Sequence, residues 1–199
     1  MADKPQWLVR EDAGIPVLVA LALRQDLGIR EPADLPPLRD RATRAPDAPE
    51  ASAELERQWL AYWEMTVEPM AHPSDVPLEL IDGFDTLVAL PARGADELRA
   101  AILPLGPSAV SYAREVQARY ARSVSSAGDA YRAYAGAIAE HEREVGRRAH
   151  SFELNVHVLP LAQRGIWWIG AMSVAVTDGL RRDVVAFDAA IRPVIAELA

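Results

Sequence analysis

Cysteine is missing from all 199 residues. Disulfides, zinc knuckles and thiol nucleophiles are excluded with it. Lysine is nearly missing as well: Lys4 stands alone, and every other basic residue is Arg. With abundant Ala, this is the composition expected of a GC-rich bacterial genome. Long apolar runs are absent. The two most apolar stretches, Ile15–Leu23 and Ile166–Val176, fall short of the roughly 20 residues that span a bilayer. Excess basic charge is absent too, since the net charge is −8 and the pI near 5.0. A nucleic-acid binder needs basic surface against phosphate, so that class is set aside. The opening MADKPQWLVRED has neither the basic n-region nor the apolar core of a signal peptide, and the expectation is a cytoplasmic protein with no membrane contact.

The familiar catalytic motifs also fail. His141-Glu142-Arg143-Glu144-Val145 begins like the HExxH zinc helix, but the second imidazole, needed one turn on, is Val145. No Glu stands three residues before any of the four His, so the ExxH pair of di-iron bundles is missing. Gly165 and Gly170 have P-loop spacing, yet Ala171-Met172 replace the Lys and the Ser or Thr. Neither GxSxG nor GxGxxG occurs. No cofactor is expected.

What is present is patterned. From Phe152 to Leu159, apolar Phe152, Leu154, Val156 and Val158 alternate with Glu153, Asn155 and His157, the period of a half-buried strand. Pro160 ends it and Gln163-Arg164-Gly165 supplies a turn. Ile166–Gly170 and Ser173–Thr177 read as further strands, antiparallel because the connections are too short for a crossover. Trp167 and Trp168 should face opposite ways. Pro5 to Val9 suggests a short edge strand, and Thr86 to Leu90 another.

Helical spacing covers much of the rest. Gly14 to Leu27 reads as a helix stopped at Gly28, and Leu55, Trp59, Tyr62, Trp63 and Met70 mark one over 51–70. Asp96–Leu103 is a short helix. Residues 107–149 keep a stripe of Ala, Val, Tyr and Ile at 3–4 spacing, with a break expected at 126–129. As one helix the segment would be about 65 Å long, against a globule diameter of about 40 Å. Asp183 caps a closing helix over 183–198, which Pro193 should kink. Residues 30–50, rich in Pro, Ala and charge, read as an extended linker draped over the surface. The expected architecture is one α+β domain, helix-dominated, with a small antiparallel sheet within 152–177. The helices of 51–70, 107–149 and 183–198 should pack on its apolar face.

Candidate sites are sparse. Glu153, Asn155 and His157 share the polar face of their strand, with Arg164 at the following turn. Glu153 with His157 suits proton transfer, and Asn155 or Arg164 suits holding an anion. The simpler reading is that an antiparallel sheet has one wet face. His141, Glu144, His150 and His157 place four ligand-type residues in a short span, but they straddle a helix and a strand with no metal spacing. Arg181-Arg182 reads as solvated surface. These observations favour a non-enzymatic interaction or structural protein that self-associates through the Tyr/Ala stripe of 107–149 or an exposed Trp. The alternative is a small-molecule-binding protein or hydrolase using Glu153, Asn155, His157 and Arg164, with metal assistance as a variant.

Overall fold

The computed structural model describes residues 6–42, 50–123 and 128–199. The fold is α+β: a mixed four-stranded sheet with helices on both faces, joined by a separate two-stranded sheet. The elements run β1 (Trp7–Asp12), α1 (Ile15–Leu27), α2 (Ala53–Val67), β2 (Leu78–Leu80), β3 (Ala89–Pro91) and α3 (Asp96–Ile102). A 3-10 turn, Leu103–Leu105, leads to α4 (Gly106–Ser123) and α5 (Gly128–Val145). The chain closes with β4 (Phe152–Leu159), β5 (Ile166–Gly170), β6 (Ser173–Thr177), α6 (Asp178–Arg181) and α7 (Val184–Leu198).

The large sheet has the order β1-β4-β6-β5. Here the pairing departs from the antiparallel expectation. β5 and β6 form the antiparallel hairpin, but β4 pairs with β6 in parallel, and β1 pairs with β4 in parallel. The short connections remain true to the argument, because β5 acts as the return strand. The chain leaves β4, descends along the far edge as β5, and ascends as β6 into the gap between. At the β5–β6 turn, the carboxylate of Glu68 accepts hydrogen bonds from the backbone N–H groups of Ala171 (3.0 Å) and Met172 (2.7 Å). Glycine at 170 makes room for it, since a Cβ there would lie 2.5 Å from the Glu68 carboxyl carbon.

Alternation along the strands divides the interior into two cores. Phe152, Leu154, Val156 and Val158 join Val174, Val176, Trp168 and β1's Trp7 and Val9 against α5 and α7. On the opposite face, Leu159, Ala175, Trp167 and Ile169 meet a core formed by α1, α2, α3 and α4. The two tryptophans thus face opposite ways, as their adjacency requires. Only α5 and α7 cover the face expected to carry all the helices. The other face is not simply wet: α1, buried from Val17 to Leu23 all round, sits between the sheet and the outer helices. Trp59 donates its indole N–H to the Ala20 carbonyl across that contact.

Local signals set several helix ends, although α2 stops at Val67, short of the expected 70, and leaves Met70 exposed beyond it. Ser52 caps α2 through the Leu55 N–H, Asp183 caps α7 through the Ala186 N–H, and Gly28 ends α1 at φ 72°. α4 packs on α1 and α5 on α7, so the long apolar stripe serves two helices with different partners. Residues 126–127 of the expected break lie outside the described ones, and 128–129 belong to α5. Residues 30–42 of the expected linker are held in place. The buried guanidinium of Arg24 donates to the carbonyls of Arg30, Glu31, Pro32 and Leu35, and the Gln25 amide bonds Leu38 and Arg41. Residues 43–49 of that segment lie outside the described ones. Among the described residues, no helix is long and apolar enough to cross a membrane.

Candidate functional site

Glu153, Asn155, His157 and Arg164 each have a partner or a burial of their own, and no hydrogen bond or ion pair joins two of them. Glu153 is exposed at the start of β4 and bonded to Arg10 on β1 at 2.7 Å. His157 lies on the same face but roughly 13 Å further along, at about 3.3 Å per residue. The side-chain amide of Asn155 stands 3.5 Å from the Ser173 hydroxyl, at the limit of bonding. Arg164 sits beyond the outer edge strand and pairs with Asp183 at 2.6 Å, tying the β4–β5 turn to the cap of α7. That ion pair, with the Ala186 N–H, holds the Asp183 carboxyl below the usual carboxylate range. Sharing a strand face gave these residues a common direction without a common point.

The metal set is likewise dispersed. His141 and Glu144 ride on α5, on the apolar side of the sheet, whereas His157 points to the α1 side. His150 precedes β4 and stands 2.8 Å from Arg147. Among the described residues, no group of three or more His, Asp or Glu is placed to hold a metal.

What His157 does meet is Asp12, its register partner across the parallel β1–β4 pair. The Asp12 carboxylate lies 3.5 Å from His157 Nδ1 and accepts the Gly14 N–H at 2.8 Å. The His157 imidazole is the first cause of a lowered Asp12 pKa; burial opposes it and the Gly14 N–H assists. Glycine at 14 is what lets the chain enter α1 here, since a Cβ would fall 2.6 Å from His157 Nδ1. The imidazole is only 13% exposed and both ring nitrogens are buried, with Nδ1 facing the Asp12 carboxylate.

On the other face of the same strand end, Glu11 gathers three donors. Its carboxylate accepts from Tyr134 Oη at 2.5 Å, Tyr120 Oη at 3.2 Å and Arg181 Nε at 2.8 Å. The Arg181 guanidinium lies 4.6 Å from the Phe187 ring centroid, and Phe187 meets Tyr134 edge-on. Side-chain exposure is 12% for Glu11 and 16% for Arg181, so Arg181 is an internal cation rather than solvated surface. Burial, and after it the negative charge of Glu11, pushes both phenols above their ordinary range. Strand β1 extends past Val9 to Asp12, which the sequence reading missed. The alternation of Trp7-Leu8-Val9-Arg10-Glu11-Asp12 was the available signal, putting Glu11 and Asp12 on opposite faces.

The hairpin of β2 and β3 has a different character. Its register pairs Leu78 with Pro91, Glu79 with Leu90 and Leu80 with Ala89. Paired residues share a face, so one face carries Leu78, Leu80, Ala89 and Pro91, all apolar. The inner face has buried Leu90, with Glu79 tied to Arg99 at 3.2 Å. Leu78 is 52% and Leu80 60% exposed. No protein-family model matches this chain, and neither a curated protein nor a solved structure does.

Proposed function

We propose that this chain is a non-enzymatic interaction protein that docks another polypeptide strand along β2. One observation carries the reading: a strand edge whose outward face is apolar and whose backbone groups are open. In the β2–β3 ladder, Ile81 N–H donates to Val88 C=O and Ala92 N–H to Pro77 C=O. Residues 77, 79 and 81 therefore sit at the hydrogen-bonded pairs, and Leu78 and Leu80 at the alternate ones. The N–H and C=O groups of both leucines point away from β3, where no described strand pairs with them. The β3 edge differs: Pro91 has no N–H, and its carbonyl is taken by Arg99 at 3.1 Å. An apolar strand with an open ladder edge is the substrate of strand addition.

The Tyr/Ala stripe offers less. Ala133, Ala137, Ile138 and Tyr134 are buried within the second core, and Tyr131 stacks on Trp7 at 5.3 Å. Trp167 and Trp168 are each packed against a core. The enzyme alternative draws no support from the dispersed Glu153, Asn155, His157 and Arg164.

Leu80→Pro provides the test. The Leu80 N–H faces away from β3, so proline there closes the docking edge without removing a bond of the hairpin. A displayed random-peptide library selected on wild type should enrich extended sequences that are lost on Leu80→Pro, with the circular dichroism spectrum unchanged. Equal enrichment on the two proteins, or none on wild type, would sink the reading.

A further inference from the structure

Resting on the strand-docking reading, we infer that the occupant of the β2 edge is an extended segment of a partner protein, apolar at alternate positions and flanked by Lys or Arg. The apolar alternation follows from Leu78 and Leu80, whose side chains stand on one face two residues apart. The basic flanks follow from the charges at the ends of the strand. Asp75 lies three residues before β2 and Asp82 two residues after it. Both are exposed, and neither has an ion-pair partner among the described residues. The neighbouring carboxylates are already paired, Glu79 with Arg99 on the inner face and Asp85 with Arg114, which leaves Asp75 and Asp82 as the uncompensated charges of the strand ends. The exposed cation of the hairpin, Arg93, follows β3, on the side away from the open edge.

The same charges argue against a second copy as the occupant. Two β2 strands pairing antiparallel about their centre would bring Asp75 of each chain beside Asp82 of the other, at both ends of the pair. Like charges directly opposite on paired strands are destabilising. A strand bearing cations at its ends converts that repulsion into attraction, and charge complementarity of this kind fixes both register and partner choice.

The test uses the full chain and two labelled synthetic peptides. One is acetyl-Lys-Lys-Val-Thr-Val-Thr-Val-Lys-Lys-amide, and the other has the same core with Glu in place of every Lys. Fluorescence anisotropy should show the basic peptide binding about tenfold tighter at low salt. The difference should collapse at 1 M salt, where the screening length is about 3 Å. Asp75→Asn with Asp82→Asn touches only exposed side chains; it should erase the preference while leaving core binding in place. Leu80→Pro should abolish both. Equal binding of the two peptides, unmoved by the Asn pair, would overturn the basic occupant and leave strand docking standing. Silence from both peptides, with sedimentation velocity showing a dimer lost on Leu80→Pro, would overturn it in favour of a second copy. Silence with a monomer at every concentration would overturn this inference and the docking reading together.

Discussion

Glu11 holds one carboxylate against three donors, and its removal strands all three. Arg181 is the costly one, since a guanidinium mostly withdrawn from water would lose its counter-charge. Glu11→Ala should therefore cost about 3–5 kcal/mol of stability, whereas Tyr134→Phe removes one phenol bond and should cost about 1 kcal/mol. In urea titrations the double variant should fall short of the sum by more than about 0.5 kcal/mol, because both changes act on one network. Additive losses, or a Glu11→Ala variant within about 1 kcal/mol of wild type, would show that the cluster is not the tie we describe. Neither Glu11 nor Arg181 was legible as a pair. They are 170 positions apart in sequence, and their meeting depends on β1 lying beside β4, which no local pattern encodes.

Glu68 and Gly170 show how a single element is finished. The Glu68 carboxylate caps two N–H groups of the β5–β6 turn, in space that only a glycine leaves open. Gly170→Ala should push that flexible side chain away and forfeit both bonds, costing about 1–3 kcal/mol. Glu68→Ala should cost about the same, and the two together little more than either, when stability is read by thermal or urea unfolding. Full additivity would contradict the shared cause. At this scale the sequence was informative wherever periodicity and punctuation agree. The β4 alternation, the Gly28 stop and the Asp183 cap are local physics and occur where expected. Pairing direction was not local: β6 enters between β4 and β5, and nothing in either connection records that. The polar face of β4 was assigned to the correct side, but the helix that covers its far end, α1, comes from the other end of the chain. Leu78-Glu79-Leu80 was too short to distinguish from a loop, so the docking edge was invisible until its partner strand was known.

Across the whole molecule, two cores share one sheet, and four tyrosines lie in or against them. Burial comes first among the causes that raise their phenols: Tyr112 is pushed up to about 12, and Tyr62, Tyr120 and Tyr134 are pushed up as well. An unfolded phenol ionises near 10.0, below its folded counterpart. The stabilisation these groups supply is complete below that value and drains away as the pH climbs toward the folded ones. Stability should hold to about pH 10 and fall steeply by about pH 12, and phenolate absorbance should lag that of the denatured chain. A folded chain whose tyrosines titrate in step with the denatured one would contradict the burial. The parallel pairing of β1 with β4 reaches into biosynthesis. At about 5–20 residues per second, the ribosome needs roughly 7–28 s to pass from Asp12 to Phe152. Through that interval the nascent chain carries Trp7 and Val9 without the strand that β1 pairs with. The first strand made waits for its neighbour until about three quarters of the chain has been synthesised.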